Sequence, residues 1–441
     1  MNIRIPYIYS PLESFILHHL KISMKNRPFR EALFLCTISI MLVHCQSNTS
    51  SEQLMPGKKF VVTPVPAENG SYTVSPELPA DSLVAAGTTL TVKATPDAGY
   101  SLDAVYYTLP FGMWGTTSYE SFTPEIQVPV DTNVVVGATF VESALVENLN
   151  VTHDVVYAKP GVKPLKYDVF APKGAQNLPA IVIIHGGGWS SNNEDIMRGL
   201  ARELTRGNQY VVFSIDYRWV NKLDGDDKPN YMHQLIEDVL GAINHIRENA
   251  GKYGADTNRI AVTGDSAGGH LSAAAAVFCA AIGDGGFGEK EGVYEYMPSY
   301  MPEGKTADQV RDELTQAIKA AAPSYGPFNA ADFKMFIEQT DQAYWDAVSP
   351  IKLVPNAKKR AIPHFIVHGA DDPVVKTEAI QPYIDVLKAA GQTVEFVQVP
   401  GAGHAFFDWK PDARTRATFK QIGVPYAAQM KAFFDKVFYA K

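Results

Sequence analysis

Cysteine is scarce in this chain of 441 residues, which contains only Cys36, Cys45 and Cys279. Three cysteines cannot form a disulfide framework, so the fold must depend on a hydrophobic core. Basic residues are outnumbered, because 39 Lys and Arg against 47 Asp and Glu leave a net charge of −8. Nucleic-acid binding needs clustered Lys and Arg, so no nucleic-acid partner is expected. The composition of 46 % hydrophobic and 20 % charged residues excludes a disordered or fibrous protein.

Motifs for metals and cofactors are also absent from the sequence. It contains no HExxH helix, no Walker A loop and no paired cysteines with metal-ligand spacing. The stretch Gly283–Gly288 matches G-x-G-x-x-G by letter but follows a predicted helix instead of a strand, which argues against dinucleotide binding. We therefore predict no metal and no cofactor.

A membrane-spanning run is not found near the N-terminus, where the apolar stretch Ala32–Val43 has 12 residues. A spanning helix needs about 20. Three basic residues come before it, namely Lys25, Arg27 and Arg30. This charged-then-apolar order is typical of a secretory signal, and Met24 is an alternative start.

Cys45 ends this apolar stretch. The sequence Leu42–Cys45 resembles a bacterial lipoprotein box, in which the cysteine is lipidated, although His44 stands where a small residue is usual. We predict that residues 1–54 are an export leader and tether. The protein would then be a lipoprotein at the bacterial cell surface or outer membrane, or periplasmic, or secreted after ordinary cleavage. The remaining alternative is a buried apolar helix with an incidental cysteine.

Residues 55–145 are predicted to form a small all-β domain that resembles a sandwich. Short runs rich in Val, Thr and Tyr, separated by Gly and Asp, predict strands at Phe60–Val62, Tyr72–Val74, Leu90–Ala94, Val105–Thr108, Ile126–Val130 and Val134–Phe140. The stretches Gly87–Tyr100 and Asn133–Phe140 resemble a repeat module of bacterial cell-surface proteins. Its aromatic residues either stack on sugars or pack the domain core: Tyr106, Tyr107, Phe111, Trp114 and Tyr119.

Residues 146–441 show a different pattern. Apolar runs predict buried parallel strands at Ala180–Ile184, Tyr210–Ile215, Ile260–Val262 and Phe365–Val367. Helical stretches alternate with them at Ile196–Arg206, Tyr231–Asn249, Gly268–Ala281, Thr377–Ala390 and Val424–Phe438. This alternation predicts an α/β domain with a mostly parallel sheet, whose chemistry gathers at the carboxyl ends of the strands.

The sequence Gly264–Gly268 (GDSAG) follows one of these strands and opens an Ala-rich helix. In that setting G-x-S-x-G predicts a nucleophile elbow, with Ser266 as the nucleophile at a strained turn. The N-terminus of the following helix would add a partial positive charge beside a developing oxyanion. Asp265 is expected to hydrogen-bond near the turn instead of taking part in the chemistry.

The sequence His185–Trp189 (HGGGW) follows the strand Ala180–Ile184. Together with GDSAGG it resembles the α/β-hydrolase superfamily, in the hormone-sensitive-lipase-like group of bacterial carboxylesterases. The resemblance covers about residues 147–441 and implies an oxyanion hole formed by the N–H groups of Gly186, Gly187 and Ala267. It also implies that His185 orients this loop.

The acid and base of a Ser-Asp-His triad should follow Ser266 in that order. The family pattern H-G-x-x-D-x-x-V aligns on Asp372, with Asp371 as the neighbouring alternative. His404 lies in a Gly-rich loop after the last predicted strand and is the predicted base. Trp189 and Trp345 are predicted to contact substrate. The Gly- and Tyr-rich insertion between Ala281 and Asp312 is either a lid or a wall of the acyl pocket, or a surface excursion without a catalytic role.

These features predict an exported serine carboxylesterase that hydrolyses short-chain or aryl esters. Its substrate would be a small ester or an ester-decorated plant polysaccharide that carries acetyl or feruloyl groups. Two alternatives remain: a serine peptidase of the same fold, and an inactive hydrolase scaffold that acts in binding. We further expect residues 146–441 to fold alone and to keep small-ester activity without the preceding domain.

Overall fold

The computed structural model describes residues 57–109, 117–221, 229–330 and 341–440. The predicted leader with Cys36 and Cys45 lies outside the described residues, and so do Phe111 and Trp114. Within the described ranges, no helix is both long and apolar enough to cross a membrane.

The first part of the described chain forms two mainly antiparallel sheets, in agreement with the predicted all-β domain. Its strands are β1 (Lys59–Pro64), β2 (Gly70–Ser75), β3 (Leu83–Ala85), β4 (Thr88–Pro96), β5 (Tyr100–Leu109), β6 (Thr117–Ser121), β7 (Glu125–Val130) and β8 (Val134–Glu142). The order is β3-β1-β8-β5-β6 in one sheet and β2-β4-β7 in the other. In β4, Leu90, Val92 and Ala94 alternate with more exposed residues, and this period of two directs them into the core between the sheets. All six predicted strands are confirmed.

The aromatic residues of this domain divide between core and surface. Tyr106 is buried, with 4 % of its surface exposed. Tyr107 and Tyr119 stack on each other with ring centroids 4.7 Å apart, and 44 % of Tyr119 is exposed. Packing therefore accounts for Tyr106, and the Tyr107–Tyr119 pair presents an aromatic surface to solvent.

The second part of the chain contains an eight-stranded sheet. Its strands are β9 (Leu149–Ala158), β10 (Leu165–Pro172), β11 (Leu178–Ile184), β12 (Val211–Ile215), β13 (Ala255–Asp265), β14 (Ile318–Ser324), β15 (His364–Gly369) and β16 (Val394–Val399). They are ordered β16-β15-β14-β13-β11-β12-β10-β9, and β10 is antiparallel to both of its neighbours. The other pairs are parallel. This arrangement is the α/β-hydrolase fold, which confirms the predicted class.

Helices cover both faces of this sheet. They are α1 (Arg198–Leu204), α2 (Met232–Asn249), α3 (Ala267–Phe278), α4 (Ala307–Ala317), α5 (Gln342–Ala347), α6 (Thr377–Ala389), α7 (Ala413–Thr418) and α8 (Val424–Tyr439). Along β11, Val182 and Ile184 belong to the hydrophobic cluster under α2 to α4, and Ile181 and Ile183 belong to the one under α1 and α8. A strand buried on both faces has to be apolar throughout, which explains the uninterrupted run of β11.

Candidate active site

Ser266 lies at the turn between β13 and α3, at the carboxyl edge of the sheet. Its φ of 51° and ψ of −117° lie in a region that non-glycine residues rarely adopt, and the N–H of Ser266 donates to Ser324 O at 3.0 Å. A Cβ atom on Gly268 would overlap the carbonyl oxygens of Ile184 and His185. Glycine is therefore required here for the helix to approach β11. The turn places the Ser266 hydroxyl at the carboxyl edge of the sheet, facing His404.

The structure brings the three predicted triad residues together. Ser266 Oγ lies 2.7 Å from His404 Nε2, and His404 Nδ1 lies 2.7 Å from Asp372 Oδ2. With the Nδ1 proton donated to Asp372, Nε2 is the acceptor for the serine hydroxyl, which is the orientation that proton transfer from serine needs.

Asp372 is held in its ionised form by its surroundings. Its Oδ1 accepts hydrogen bonds from the N–H groups of Val374 (2.8 Å) and Val375 (3.0 Å). Burial alone would raise the pKa of Asp372, but the hydrogen bond and charge of His404 and these two N–H groups lower it below its ordinary value. The neighbouring Asp371 is exposed to solvent. Of the two carboxylates, only Asp372 contacts His404.

The oxyanion loop differs from the prediction by one residue. The N–H of Gly186 donates to Asp265 Oδ1 at 2.7 Å, so this donor is engaged by a carboxylate and the prediction for Gly186 is wrong. Gly187 (φ 115°) and Gly188 (φ 59°) line the cavity beside Ser266 together with Ala267. Because Ala267 is the first residue of α3, its N–H has no acceptor within the helix. Gly187, Gly188 and Ala267 are therefore the candidate donors.

Buried polar residues fix the base of this loop. His185 Nδ1 donates to Gly186 O at 2.6 Å, and its ring stacks on that of Tyr217 with centroids 4.2 Å apart. The Tyr217 hydroxyl donates to His185 O at 2.8 Å. Asp216 Oδ1 lies 3.3 Å from His185 Nε2 and accepts the N–H of Tyr217 at 2.8 Å. His185 thus orients the loop and does not contact the triad histidine.

A carboxyl pair that sequence reasoning missed lies beneath the elbow. Asp265 and Asp408 are both buried, and their side chains hydrogen-bond to each other. Burial, and then the charge of Asp408, raise the pKa of Asp265 well above its ordinary value, and burial also raises the pKa of Asp408. Such a pair shares one proton. The two residues are far apart in the sequence, and no motif joins them.

The cavity beside Ser266 encloses about 200 Å³. Its lining combines triad and loop residues with apolar side chains: Gly187, Gly188, Trp189, Asn192, Asp265, Ser266, Ala267, Pro327, Val374, Val375, His404, Ala405, Asp408 and Lys410. Trp189 lines it as predicted, and its Nε1 donates to His270 Nδ1 at 3.3 Å.

Two other expectations about the pocket need correction. Trp345, which belongs to α5, is fully buried in the core and is not among the residues that line the cavity. The insertion 281–312, all of which is described, contributes no residue to the cavity lining either. Its backbone instead bonds to α2, where Ser299 N donates to Glu237 O at 3.0 Å. Trp345 therefore packs in the core, and the insertion lies against α2 instead of lining the cavity.

Within the described part of the chain, one group of side chains is close enough to bind a metal ion. It consists of His153, Asp168 and Asp195, whose candidate ligand atoms lie within 4.8 Å of one another. His153 Nδ1 and Asp168 Oδ2 are 2.5 Å apart and already hydrogen-bond. We assign no metal to this group.

The eight-stranded sheet, the elbow at Ser266 and the glycine-rich loop at Gly187 define the class of the protein by its fold, which is that of the α/β hydrolases. The family model BD-FAE matches residues 167–382, and the divergent InlB B-repeat domain matches residues 60–144. The second match agrees with the predicted surface-repeat resemblance of the β-domain.

Several curated relatives of the chain are named esterases. It is 30 % identical over 281 residues to esterase LipC of Mycobacterium tuberculosis, covering 58 % of this chain and 60 % of LipC. It is 29 % identical over 308 residues to esterase LipQ of the same organism, covering 64 % of each protein. The chain thus spans less than two thirds of the length of these relatives. Thermogutta terrifontis esterase 2 phosphorylated by paraoxon has a TM-score of 0.49 at 23 % identity, covering 67 % of this chain and 96 % of that chain.

Proposed function

We propose that this protein is a serine carboxylesterase that hydrolyses short-chain or aryl esters through an acyl-enzyme. The observation that carries the proposal is the hydrogen-bonded chain from Ser266 Oγ through His404 to Asp372, beside a cavity that Gly187 and Gly188 line. The similarity to curated esterases supports the same reaction class.

The reaction follows from this arrangement. His404 Nε2 takes the hydroxyl proton of Ser266 as Oγ attacks the ester carbonyl carbon, and Asp372 stabilises the imidazolium that forms. The N–H groups of Gly187, Gly188 and Ala267 stabilise the oxyanion. The imidazolium then gives its proton to the leaving alcohol as the C–O bond breaks. A water molecule, deprotonated by His404, attacks the acyl-enzyme, and the acid product leaves as Ser266 regains its proton.

The cavity supports a small acyl group. Its volume of about 200 Å³ is below the roughly 300–1,000 Å³ of sites for drug-sized ligands. Val374, Val375, Pro327 and Ala405 give it an apolar lining suited to a short chain or part of a ring.

A substrate panel tests the reaction class. We expect turnover of p-nitrophenyl acetate and butyrate, weaker turnover of long-chain esters, and none of aminoacyl p-nitroanilides. The variant Ser266→Ala should lose about 10⁴-fold or more in kcat with an unchanged circular dichroism spectrum. Preferred cleavage of the anilides would favour the peptidase alternative. Cleavage of neither class by the wild-type chain would favour the inactive binding protein.

We also propose that the enzyme is exported and acts on ester-decorated polysaccharides. The leader-like sequence of residues 1–54 and the match of residues 60–144 to a divergent InlB B-repeat domain support a location at the cell surface. Product analysis on acetylated and feruloylated xylan fragments tests the substrate. Mass spectrometry of the wild type and Cys45→Ala, both expressed in a bacterium that processes lipoproteins, tests lipidation.

A further inference from the structure

The β-domain and the α/β domain share a buried ionic cluster. Its centre is Asp103 on β5, whose side chain is 0 % exposed. Asp103 Oδ1 lies 3.0 Å from Arg198 Nε and 2.7 Å from Arg202 Nη2, and both arginines are buried residues of α1. A second carboxylate of the β-domain, Glu120 on β6, pairs with Arg198 Nη2 at 2.5 Å. Buried pairs of this kind hold their geometry because either charge alone would be costly to bury.

The same carboxylate contacts the segment that follows the triad histidine. Asp103 Oδ2 accepts a hydrogen bond from Trp409 Nε1 at 2.9 Å. The backbone N–H of Trp409 donates to Ile196 O at 2.9 Å, and its ring meets Phe419 edge to face at 5.3 Å. A Cβ atom on Gly199 would lie 3.0 Å from the Trp409 side chain, which shows that the indole packs closely against α1. Trp409 is thereby fixed from both domains.

Trp409 directly follows a residue of the active-site cavity. Asp408 lines the cavity and hydrogen-bonds to Asp265, which in turn accepts the N–H of Gly186 in the oxyanion loop. The loop between His404 and Trp409 is compact, since Ala405 has a φ of 62° and Asp408 N donates to Ala405 O at 3.3 Å. A displacement of Trp409 would therefore also displace His404 and the Asp265–Asp408 pair.

We infer that the β-domain takes part in ester hydrolysis through Asp103, a positioning residue that fixes Trp409 and with it the loop carrying His404 and Asp408. This inference rests on the proposed esterase function. It differs from the expectation that residues 146–441 keep small-ester activity without the preceding domain, because Trp409 of the α/β domain hydrogen-bonds to a buried side chain of the β-domain.

Full-length variants separate positioning from simple domain docking. Asp103→Asn keeps the shape of the side chain and leaves one acceptor oxygen, which Arg198 and Arg202 should bind at the Oδ1 position. Its NH2 group then faces Trp409 Nε1, from which it cannot accept a hydrogen bond. Trp409→Phe keeps an aromatic ring and removes the N–H donor. Glu120→Gln is the matched control, because Glu120 pairs with Arg198 in the same interface without contacting Trp409. For each variant, and for Asp103→Asn combined with Trp409→Phe, kcat and KM are measured with p-nitrophenyl acetate, and folding is checked by circular dichroism and thermal melting.

Positioning predicts that Asp103→Asn and Trp409→Phe each lower kcat by about 10-fold with KM nearly unchanged. The double variant should be no slower than the slower single variant, because both changes act through one hydrogen bond. Glu120→Gln should lower the melting temperature without lowering kcat.

Three outcomes would overturn the inference. The first is an unchanged kcat in folded Trp409→Phe, which remains decisive if Asp103→Asn does not fold. The second is a loss of kcat in the double variant that equals the product of the two single-variant losses. The third is an equal loss of kcat in Glu120→Gln. Failure of the esterase proposal is distinct, since the wild-type chain would then turn over no ester at all.

Discussion

Asp265 Oδ1 accepts a hydrogen bond from the N–H of Gly186 at 2.7 Å, across 79 positions of sequence. The residue before the nucleophile thus holds the start of the oxyanion loop. Because the Gly186 donor is used in this way, the loop presents Gly187 and Gly188 to the cavity instead. The proton shared with Asp408 keeps this buried pair from carrying two negative charges.

Replacing Asp265 tests this link between elbow and loop. Asp265→Ala should lower kcat for p-nitrophenyl acetate by about 10- to 100-fold, because an unpaired buried donor costs about 1–3 kcal/mol. Asp265→Asn is the matched control, since its carbonyl oxygen can still accept from Gly186 and its amide can donate to Asp408. We expect Asn to stay within about threefold of the wild type. Equal losses in both variants would show that charge, and not the hydrogen bond to Gly186, is what matters.

Asp372 is expected to be essential and Asp371 dispensable. Asp372→Asn should lower kcat by about 10⁴-fold, because His404 loses the carboxylate that selects its tautomer and stabilises its charged form. Asp371→Asn changes an exposed residue and should leave kcat within about twofold. Steady-state kinetics on both variants decides between the two carboxylates. A reversed result would move the assignment by one residue.

Much of the catalytic domain could be predicted because its signals are local. Ser266 follows a strand and opens a helix within five residues, and His404 and Asp372 follow in the order that the family requires. The uninterrupted apolar run of β11 likewise reports burial on both faces. Each of these inferences used neighbouring residues and a known period or order.

Other features depend on tertiary contacts that leave no local signal. Strand β14 (IKAAAPS) is rich in alanine, which favours helix, and it was not predicted. It is a strand because its backbone pairs with β13 and β15 inside the sheet. The prediction that Gly186 is an oxyanion donor failed because its N–H donates to Asp265 instead. The contact between Asp103 and Trp409 joins residues 306 positions apart, and composition alone indicated two separate domains.

His364 should couple folding to protonation. It lies fully buried at the start of β15, where Nδ1 donates to Ile362 O at 2.7 Å and Nε2 accepts from the Tyr383 hydroxyl at 3.1 Å. Burial, the largest effect, lowers the pKa of His364 from 6.5 to about 4, assisted by the charge of Arg360 and opposed by the bond to Ile362. The unfolded chain therefore binds more protons between these values, and stability is lost as the pH falls from 6.5 towards 4.

Comparison with His364→Gln isolates this histidine from the other buried groups. The stability advantage of the wild type over the variant should shrink by about 2 kcal/mol between pH 7.5 and pH 5. Urea unfolding at several pH values measures this difference. A constant difference across the range would mean that His364 is protonated equally in both states.

Two truncations test whether the α/β domain can work without the β-domain. Removing residues 1–145 deletes Asp103 and Glu120, so Arg198, Arg202 and Trp409 Nε1 lose their partners in the buried cluster. Breaking a buried ion pair from one side costs about 3–5 kcal/mol, a large part of the stability of most domains. The shortened chain should therefore be poorly soluble, or folded with a lower melting temperature and reduced kcat towards p-nitrophenyl acetate. Removing only residues 1–56 leaves the cluster complete and should preserve the melting temperature and kcat. If residues 146–441 alone match the melting temperature and kcat/KM of the 57–441 chain, the buried contact at Asp103 has no part in supporting the catalytic loop.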